Sequence, residues 1–455
     1  MSATPFESGL LEASLGASGI VADIGGAPAD AVGRDVSREG SQKVSQDTDL
    51  RVDGQRLWQR LMALAQIGAT PAGGNRRLAL TELDGQGRDL VTQWARELDC
   101  SIRVDAIGNI FMRRAGRLDL PAVMTGSHID TQPTGGKFDG NFGVLSGIEV
   151  LSTLHQAGVV TDRPLEVAIW TNEEGSRFVP VMMGSGVYCG AFTLESALAA
   201  VDLDGVSVAT ALDAIGYAGH DRIEPPACYF EAHIEQGPVL EAHDKVIGVV
   251  TAALGQRWYT VTVKGMEAHA GPTPMAMRRD ALLCSAGLIA EVNAIALANA
   301  PDGRGTVGWI ENYPNSRNVI PGQVRFGVDL RAADETTLSG MDAALRAACA
   351  RAATDAHLTI DVEQVVYFPA QAFDATLVAS VRQASESLGL SWMPAVSGAG
   401  HDAVYVARVA PTAMIFVPCK DGISHNEIES AEQTHLEAGC NVLLRAMLAA
   451  ARAPA

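Results

Sequence analysis

GQRLWQRLMALAQIG and VLSGIEVLSTLHQAG carry apolar residues at helical spacing, and Gly158 should close the second of these helices. Between the helical patterns lie short runs that are apolar almost throughout: LPAVMTGS, PLEVAIW, CYFEA and PTAMIFVP. Runs this short and uniform predict strands buried on both faces. IRVDAIGNIFMRR reads as two further short strands, and the chain ends in a helix rich in Ala and Leu. Strand and helix in alternation predict an α/β fold, a mixed sheet covered on both faces.

The stretch 256–370 follows a different order. RWYTVTVKG reads as a strand, MRRDALLCSAGLIAEVNAIALA as a helix, and GTVGWIENY and GQVRFGVDLRA as strands. TLSGMDAALRAACARAATDAH then reads as a helix and LTIDVEQVVYF as a strand. That is β-α-β-β-α-β, the split pattern of a ferredoxin-like unit. The first pattern resumes at AFDATLVASVRQASESLGL. The expectation is a larger domain built from residues 51–255 and 371–455, with a smaller domain, 256–370, inserted in it. Residues 1–50 are rich in Gly, Ala, Ser and charge with weak periodicity, and are expected to form a poorly ordered extension.

Composition narrows the possibilities. At 455 residues, 47% hydrophobic and 19% charged, the chain has ample material for more than one core. A net charge of −19 argues against nucleic acid or an anionic membrane as partner, since both need basic patches. Seven scattered cysteines with no CxxC predict reduced, mostly buried thiols, not a disulfide framework or a zinc knuckle. No apolar run reaches the ~18 residues of a membrane span. Glu7, Glu12 and Asp23 precede the first basic residue, Arg34, which is unlike a secretory signal. A cytoplasmic protein is expected.

The chemically informative residues gather where the apolar runs stop. The first run leads into HIDTQPTGGKFDG, with His128, Asp130 and Asp139 among glycines and a proline. The second leads into TNEEG, with Glu173 and Glu174. The third leads into HIEQG, with His233, Glu235 and Gln236, and the fourth into CKDGISHNEIES, with Asp421 and His425. Ligands in open α/β sheets collect at the carboxyl ends of strands. Imidazole with carboxylate and no thiolate suits zinc, manganese, nickel or cobalt. A metal-binding His commonly donates its other nitrogen to a carboxylate, so Asp130 would orient His128 or ligate directly. Singly, each group has a plainer explanation: a structural histidine, a solvated Glu-Glu turn, a helix-capping neighbourhood. Four strand ends carrying such groups together predict a metal site. Adjacent Glu173 and Glu174 suggest a division of labour, one on metal and one as general base for an activated water. That pattern defines metal-assisted hydrolysis.

GSHIDTQPTGGKFDGNFGV, TNEEGSRF, YFEAHIEQGPVL, GMEAHAGPTPM, SRNVIPGQVRFGVDLR and SGAGHDAVY resemble, in this order, the carbamoyl-amino-acid amidohydrolases of the M20 metallopeptidase clan. That group comprises N-carbamoyl-L-amino acid hydrolases, β-ureidopropionases and allantoate amidohydrolases. The resemblance implies a zinc-peptidase-like α/β domain with two divalent metal ions per subunit (Zn, Mn, Ni or Co). It also implies a smaller lid through which a homodimer forms. Carried onto this chain, His128, Asp139 and His233 would hold one metal, and Asp139, Glu174 and His425 the other. Asp130 would orient His128, and Glu173 would be general base and then proton donor. His269, in EAHAG on the lid, would reach the partner subunit's active site and stabilise the oxyanion. Arg331 and Asn318 would grip the substrate carboxylate, which the arginine fork suits. Gln236 would contact substrate. His401 and Asp402, in GAGHDA, match a motif near the site, where a structural hydrogen-bonding loop is an equal reading.

The implied reaction turns a small-molecule N-carbamoyl amino acid into amino acid, ammonia and carbon dioxide. With His269 and Arg331 on the lid, it would need domain closure about hinges near 255 and 370. DTQPTGGKFDG looks more like carbamoylases and ureidopropionases than allantoate enzymes. Allantoate amidohydrolase is therefore the second reading, and a dipeptidase or aminopeptidase of the clan the third. A binding protein that merely kept the fold is opposed by the intact ligand set. The motifs do not choose between α- and β-amino acid products.

Overall fold

The computed structural model describes residues 50–453. Except for Leu50, the extension expected over 1–50 lies outside the described residues. Strands are labelled in chain order. The first six are β1 (Ser101–Val104), β2 (Ile110–Arg114), β3 (Val123–His128), β4 (Leu165–Trp170), β5 (Cys228–Ile234) and β6 (Ile247–Ala253). The next six are β7 (Gly255–Lys264), β8 (Ala268–His269), β9 (Arg304–Tyr313), β10 (Val319–Ile320), β11 (Gln323–Ala332) and β12 (Thr359–Phe368). The last three are β13 (Gln371–Ala372), β14 (Trp392–Ser397) and β15 (Thr412–Val417).

The four uniformly apolar runs become β3, β4, β5 and β15, each buried along its whole length. They are consecutive neighbours in a nine-stranded sheet of order β1-β2-β4-β3-β5-β15-β6-β13, with β14 beside β6. The pairs β4/β3, β3/β5 and β5/β15 are parallel. The flanking pairs β1/β2, β2/β4, β15/β6 and β6/β13 are antiparallel, so the sheet is mixed.

Period-two alternation sends side chains into two cores. Val123, Val167, Ile169, Phe230, Ala232 and Ile415 face one core. Met124, Ala168, Trp170, Tyr229, Met414 and Phe416 face the other. On the first face lies helix Asn141–Gln156, apolar on nearly all sides and buried from Asn141 to Leu154. Helices Gly54–Gln66 and Gln433–Ala450 cover it. Asp53 caps the former by accepting the Arg56 N–H. Gly158, in the left-handed region, follows the end of the buried helix and donates to the His155 carbonyl.

A second sheet of order β12-β7-β11-β9 is antiparallel throughout. Its own core, around Val261, Phe326, Leu330, Met341 and Leu345, lies under helices Ala281–Ala298 and Glu335–Asp355. Asp280 and Asp334 cap these helices. Helix Ala281–Ala298 has a mean hydropathy of 1.9 and, by length and composition alone, could cross a membrane. Here Leu288, Val292 and Ile295 pack into the core, while Leu283 and Leu297 stay exposed.

No strand is predicted from the sequence over Ile247–Ala253, yet β6 pairs with β15, β14 and β13. A single residue, Leu254, separates β6 from β7. All seven cysteines are free, and five of them are buried.

Candidate active site

Four parallel strands end on one side of the sheet, and the segments that follow them bring polar side chains together. His128 closes β3, Glu173 and Glu174 follow β4, His233 lies near the end of β5, and His425 is in the segment after β15. His128, Asp139 and His233 bring one ligand atom each to within 4.8 Å of one another, and so do Asp139, Glu174 and His425. Asp139 is common to both sets. Its Oδ1 lies 3.2 Å from His233 Nε2 and 3.7 Å from His128 Nε2, and its Oδ2 lies 3.3 Å from His425 Nε2. His425 Nε2 is also 3.3 Å from Glu174 Oε2.

Backbone carbonyls set the imidazole orientations. His128 Nδ1 lies 2.9 Å from the Asp130 carbonyl and His233 Nδ1 lies 2.9 Å from the Ile234 carbonyl. With Nδ1–H donated there, each Nε2 is the nitrogen that faces Asp139, the side on which a ligand pair would hold an ion. The Asp130 carboxylate is 3.9 Å from His128 Nδ1, so the expected carboxylate-to-imidazole hydrogen bond is replaced by one to its backbone. Asp130 Oδ1 and Oδ2 accept instead the N–H groups of Glu173 and Glu174, at 3.3 and 3.2 Å. That bond pair holds the two glutamates in a turn that begins at Asn172, φ 53°. Gly140 (φ 64°) is required where it stands, because a Cβ there would lie 2.4 Å from the His128 ring. Behind the loop, fully buried Arg77 donates to the carbonyls of Ile129, Leu64 and Ile67 and to Asn141 Oδ1. It therefore ties both ends of the loop that carries Asp130 and Asp139.

Glu173 belongs to neither ligand set, yet its Oε2 lies 3.5 Å from His128 Nε2. Burial pushes its carboxyl well above the usual range, and nearby Asp402, Glu174 and Asp130 add to this. Burial and Asp139 also raise Glu174, to about 8. Asp139 is held well below the usual range: burial opposes its charge, but hydrogen bonds from His233 and His425 outweigh that. The reciprocal effect of Asp139 lifts His425 to about 9, and lifts His233 to about 9 against its own burial. His128 is pushed down to about 4, chiefly by burial.

Two imidazoles with a carboxylate on one side, and one imidazole with two carboxylates on the other, fit divalent cations. In the metal-free protein at neutral pH, His425, His233 and Glu174 hold protons that a cation must displace. Metal affinity is therefore expected to rise as pH is raised toward about 9. Calorimetric zinc titrations in buffers of different ionisation enthalpy should register proton release at neutral pH. Binding without proton release would contradict these assignments.

The remaining residues named from the sequence are distributed as follows. Gln236, with φ 57°, donates from Nε2 to Asp139 Oδ2 at 2.8 Å, and its buried Oε1 has no protein partner. His401 is buried, 2.8 Å from Ser397 Oγ, with its ring 4.5 Å from that of His233. Asp402 Oδ1 accepts the Ser185 hydroxyl. His269 and Asn318 lie at the β8–β10 ribbon, where His269 pairs with Val319 and Ala270 N–H donates to the Asn318 carbonyl. His269 is exposed and belongs to neither ligand set. Arg331, near the end of β11, forks onto Asp329 at 2.8 Å and also donates to the Gly398 carbonyl at 2.8 Å. It thus links the second sheet to the segment that precedes His401.

Four participants were not anticipated. Gln132 donates to Glu174 Oε2 at 2.7 Å, and Ser424 to Asp139 Oδ2 at 2.8 Å. Glu429 accepts the Asp139 N–H at 3.2 Å. Glu231 accepts from Ser127 Oγ, Tyr229 Oη and Ala403 N–H beneath His233. Gln132, Ser424 and Glu429 lie inside the motifs that carry the ligands, and Glu231 shares a strand face with His233 two residues away. That proximity was the available signal.

Comparison with known proteins places this arrangement. Residues 124–449 match Peptidase family M20/M25/M40. The N-carbamoyl-L-amino-acid amidohydrolase of Rhizobium meliloti is 47% identical over 401 residues, covering 88% of this chain and 96% of that protein. The allantoate amidohydrolase of Bacillus subtilis is 35% identical over 395 residues, covering 84% and 93%. An amidase of the hydantoinase/carbamoylase family from Burkholderia multivorans superposes with a TM-score of 0.87 at 56% identity, covering 89% of this chain and 100% of that one. With a family match over most of its length and relatives this similar, the chain belongs to peptidase family M20/M25/M40.

Proposed function

We propose that this chain is a metal-dependent amidohydrolase that cleaves the carbamoyl C–N bond of N-carbamoyl-L-amino acids, releasing amino acid, ammonia and carbon dioxide. The observation that carries this reading is one carboxylate, Asp139, shared by two ligand sets, with a raised, unligated carboxyl, Glu173, beside them. The likeness to the Rhizobium meliloti enzyme supports the substrate class.

His128, Asp139 and His233 would hold one divalent ion, and Asp139, Glu174 and His425 the second. When bound, these ions supply Lewis acidity to water and to the substrate carbonyl. Glu173 removes the proton from the attacking water and later delivers one to the departing nitrogen, which its raised proton affinity favours. Asp130 fixes Glu173 through its backbone N–H. Gln236 presents its unpartnered Oε1 to the substrate's carbamoyl N–H groups. Arg331 exchanges the Asp329 carboxylate for that of the substrate, with Asn318 assisting. His401 supports His233 from below by ring contact.

The domain reading follows the same lines. Residues 51–255 and 371–455 form the catalytic domain, and 256–370 form a ferredoxin-like lid hinged where β6 meets β7 and where β12 meets β13. Exposed Trp309, Ile310 and Tyr313 on edge strand β9, with Leu283 and Leu297 beside it, support a homodimer through the lid. His269 would then serve the partner's site, stabilising the oxyanion. Free cysteines suit a cytoplasmic protein.

Ammonia release by the metal-reconstituted protein tests the substrate class. N-carbamoyl-L-α-amino acids are expected to be turned over well above N-carbamoyl-β-alanine and allantoate. Preference for either of those replaces the substrate class, and failure of all three with metal bound redirects the search to dipeptides.

A further inference from the structure

We propose that Glu429 is a positioning residue that sets the spacing between the two segments supplying Asp139 and His425, and so assembles the second ion site. The inference rests on the reading of Asp139 as a ligand shared by two ions.

Glu429 is 2% exposed and does not belong to either ligand set. Its Oε1 accepts two successive backbone N–H groups, those of Phe138 at 2.8 Å and Asp139 at 3.2 Å. Its Oε2 lies 3.0 Å from Ser424 Oγ, and Ser424 Oγ lies 2.8 Å from Asp139 Oδ2. Glu429 N–H closes a turn onto the Asn426 carbonyl, so the carboxylate is fixed to the turn that follows His425. One side chain therefore holds the Asp139 backbone directly and sets its second oxygen against Ser424, whose single hydroxyl hydrogen goes to one of the two carboxylates. The opposing segment makes room for it. A Cβ at Gly136 would fall 2.0 Å from Glu429 Cδ.

Burying a carboxylate is costly, and placing it near Asp139 adds like-charge repulsion. An apolar side chain would fill the same space without either cost. What the carboxylate provides and an apolar side chain cannot is two polar atoms at fixed separation, one for the backbone of the Asp139 segment and one for Ser424. The consequence is asymmetric. His128 and His233 are fully buried and anchored on β3 and β5. His425 has a side chain 50% exposed, in an irregular segment with φ 54°. The ion held by Asp139, Glu174 and His425 therefore depends on Glu429 far more than the ion held by His128, Asp139 and His233.

Cobalt(II) titrations of the full chain, followed by calorimetry and by the visible spectrum, test this. Glu429→Ala is expected to weaken one ion, that held by Asp139, Glu174 and His425, by roughly ten- to a hundredfold, the usual cost of losing a group that orients a ligand. The other ion should change by less than about threefold, a small fraction of that cost. Glu429→Gln should bind both ions as the wild type does, because its Oε1 still accepts both N–H groups and its Nε2 donates to Ser424 Oγ. Should Glu429→Ala lose its near-ultraviolet circular dichroism, Ser424→Ala decides, and it must weaken the same ion selectively. Equal weakening of both ions, no weakening in a folded variant, or no rescue by glutamine overturns the role given to Glu429. A wild type that binds fewer than two ions overturns the shared-ligand reading itself, which is a separate failure.

Discussion

Glu173→Gln is expected to lower kcat by about three orders of magnitude or more, within the range a general acid–base group contributes and toward its upper end. Metal content and KM should change little. The substitution is nearly isosteric, and the Glu173 N–H bond to Asp130 Oδ1 is a backbone bond that glutamine keeps. What disappears is the proton site. In the metal-free protein burial, with nearby Asp402, Glu174 and Asp130 adding to it, holds the Glu173 carboxyl well above its ordinary range. A carboxylate of ordinary pKa would return a proton to a departing amine poorly. Steady-state kinetics with an N-carbamoyl-L-amino acid, beside metal analysis of the same preparation, make the measurement. A variant that keeps its metal and retains a tenth of its activity would remove Glu173 from the chemistry. One that loses its metal would make it a ligand.

Asp139→Ala should do the opposite: both ions are lost, and activity with them. Orienting groups alone contribute roughly ten- to a hundredfold to metal affinity, so a ligand shared by two ions should cost at least about a hundredfold for each. The same substitution changes the pH dependence of metal-free stability. Asp139 is depressed from its ordinary 3.8, so its contribution is present above that value and fades as pH falls through the folded pKa. His425 is raised from 6.5 to about 9, so its contribution is full below 6.5 and is lost as pH rises through about 9. The stability difference between metal-free wild type and variant should therefore be largest between 3.8 and 6.5. Denaturant melts across pH, with chelator present, would measure it. A difference that instead grew above pH 9 would contradict the pairing.

The two variants divide the site. One removes a proton carrier from an intact metal centre, and the other removes the centre. Together with the Glu429 series they separate chemistry, ligation and positioning.

Much of this could be read along the chain. β3, β4, β5 and β15 announce themselves because strands buried on both faces must be apolar at every position, a local property. The ligands announce themselves because a run of that kind has no packing reason to end in His, Asp or Glu. The second sheet was legible for a related reason: in β7 and β11 apolar and polar residues alternate, as in a sheet covered on one face.

Other features depended on the tertiary structure. The resemblance already implied that Asp139 serves both ligand sets, but only the fold shows how: Oδ1 is turned to His233 and Oδ2 to His425. His128 is oriented by the Asp130 carbonyl and not by its carboxylate, a choice set by how the loop is clamped around Arg77. β6 was missed because its run, IGVVTAA, is made largely of small residues and passes after one residue, Leu254, into β7, so no turn marks its end. Glu429 shows a limit of another kind, since its bond to the Asp139 N–H spans 290 positions. Residue types and their periods are contiguous information, and they determined the strands and the chemistry available at their ends. How those groups face one another, and which merely hold another in place, was decided only when packing brought distant segments together.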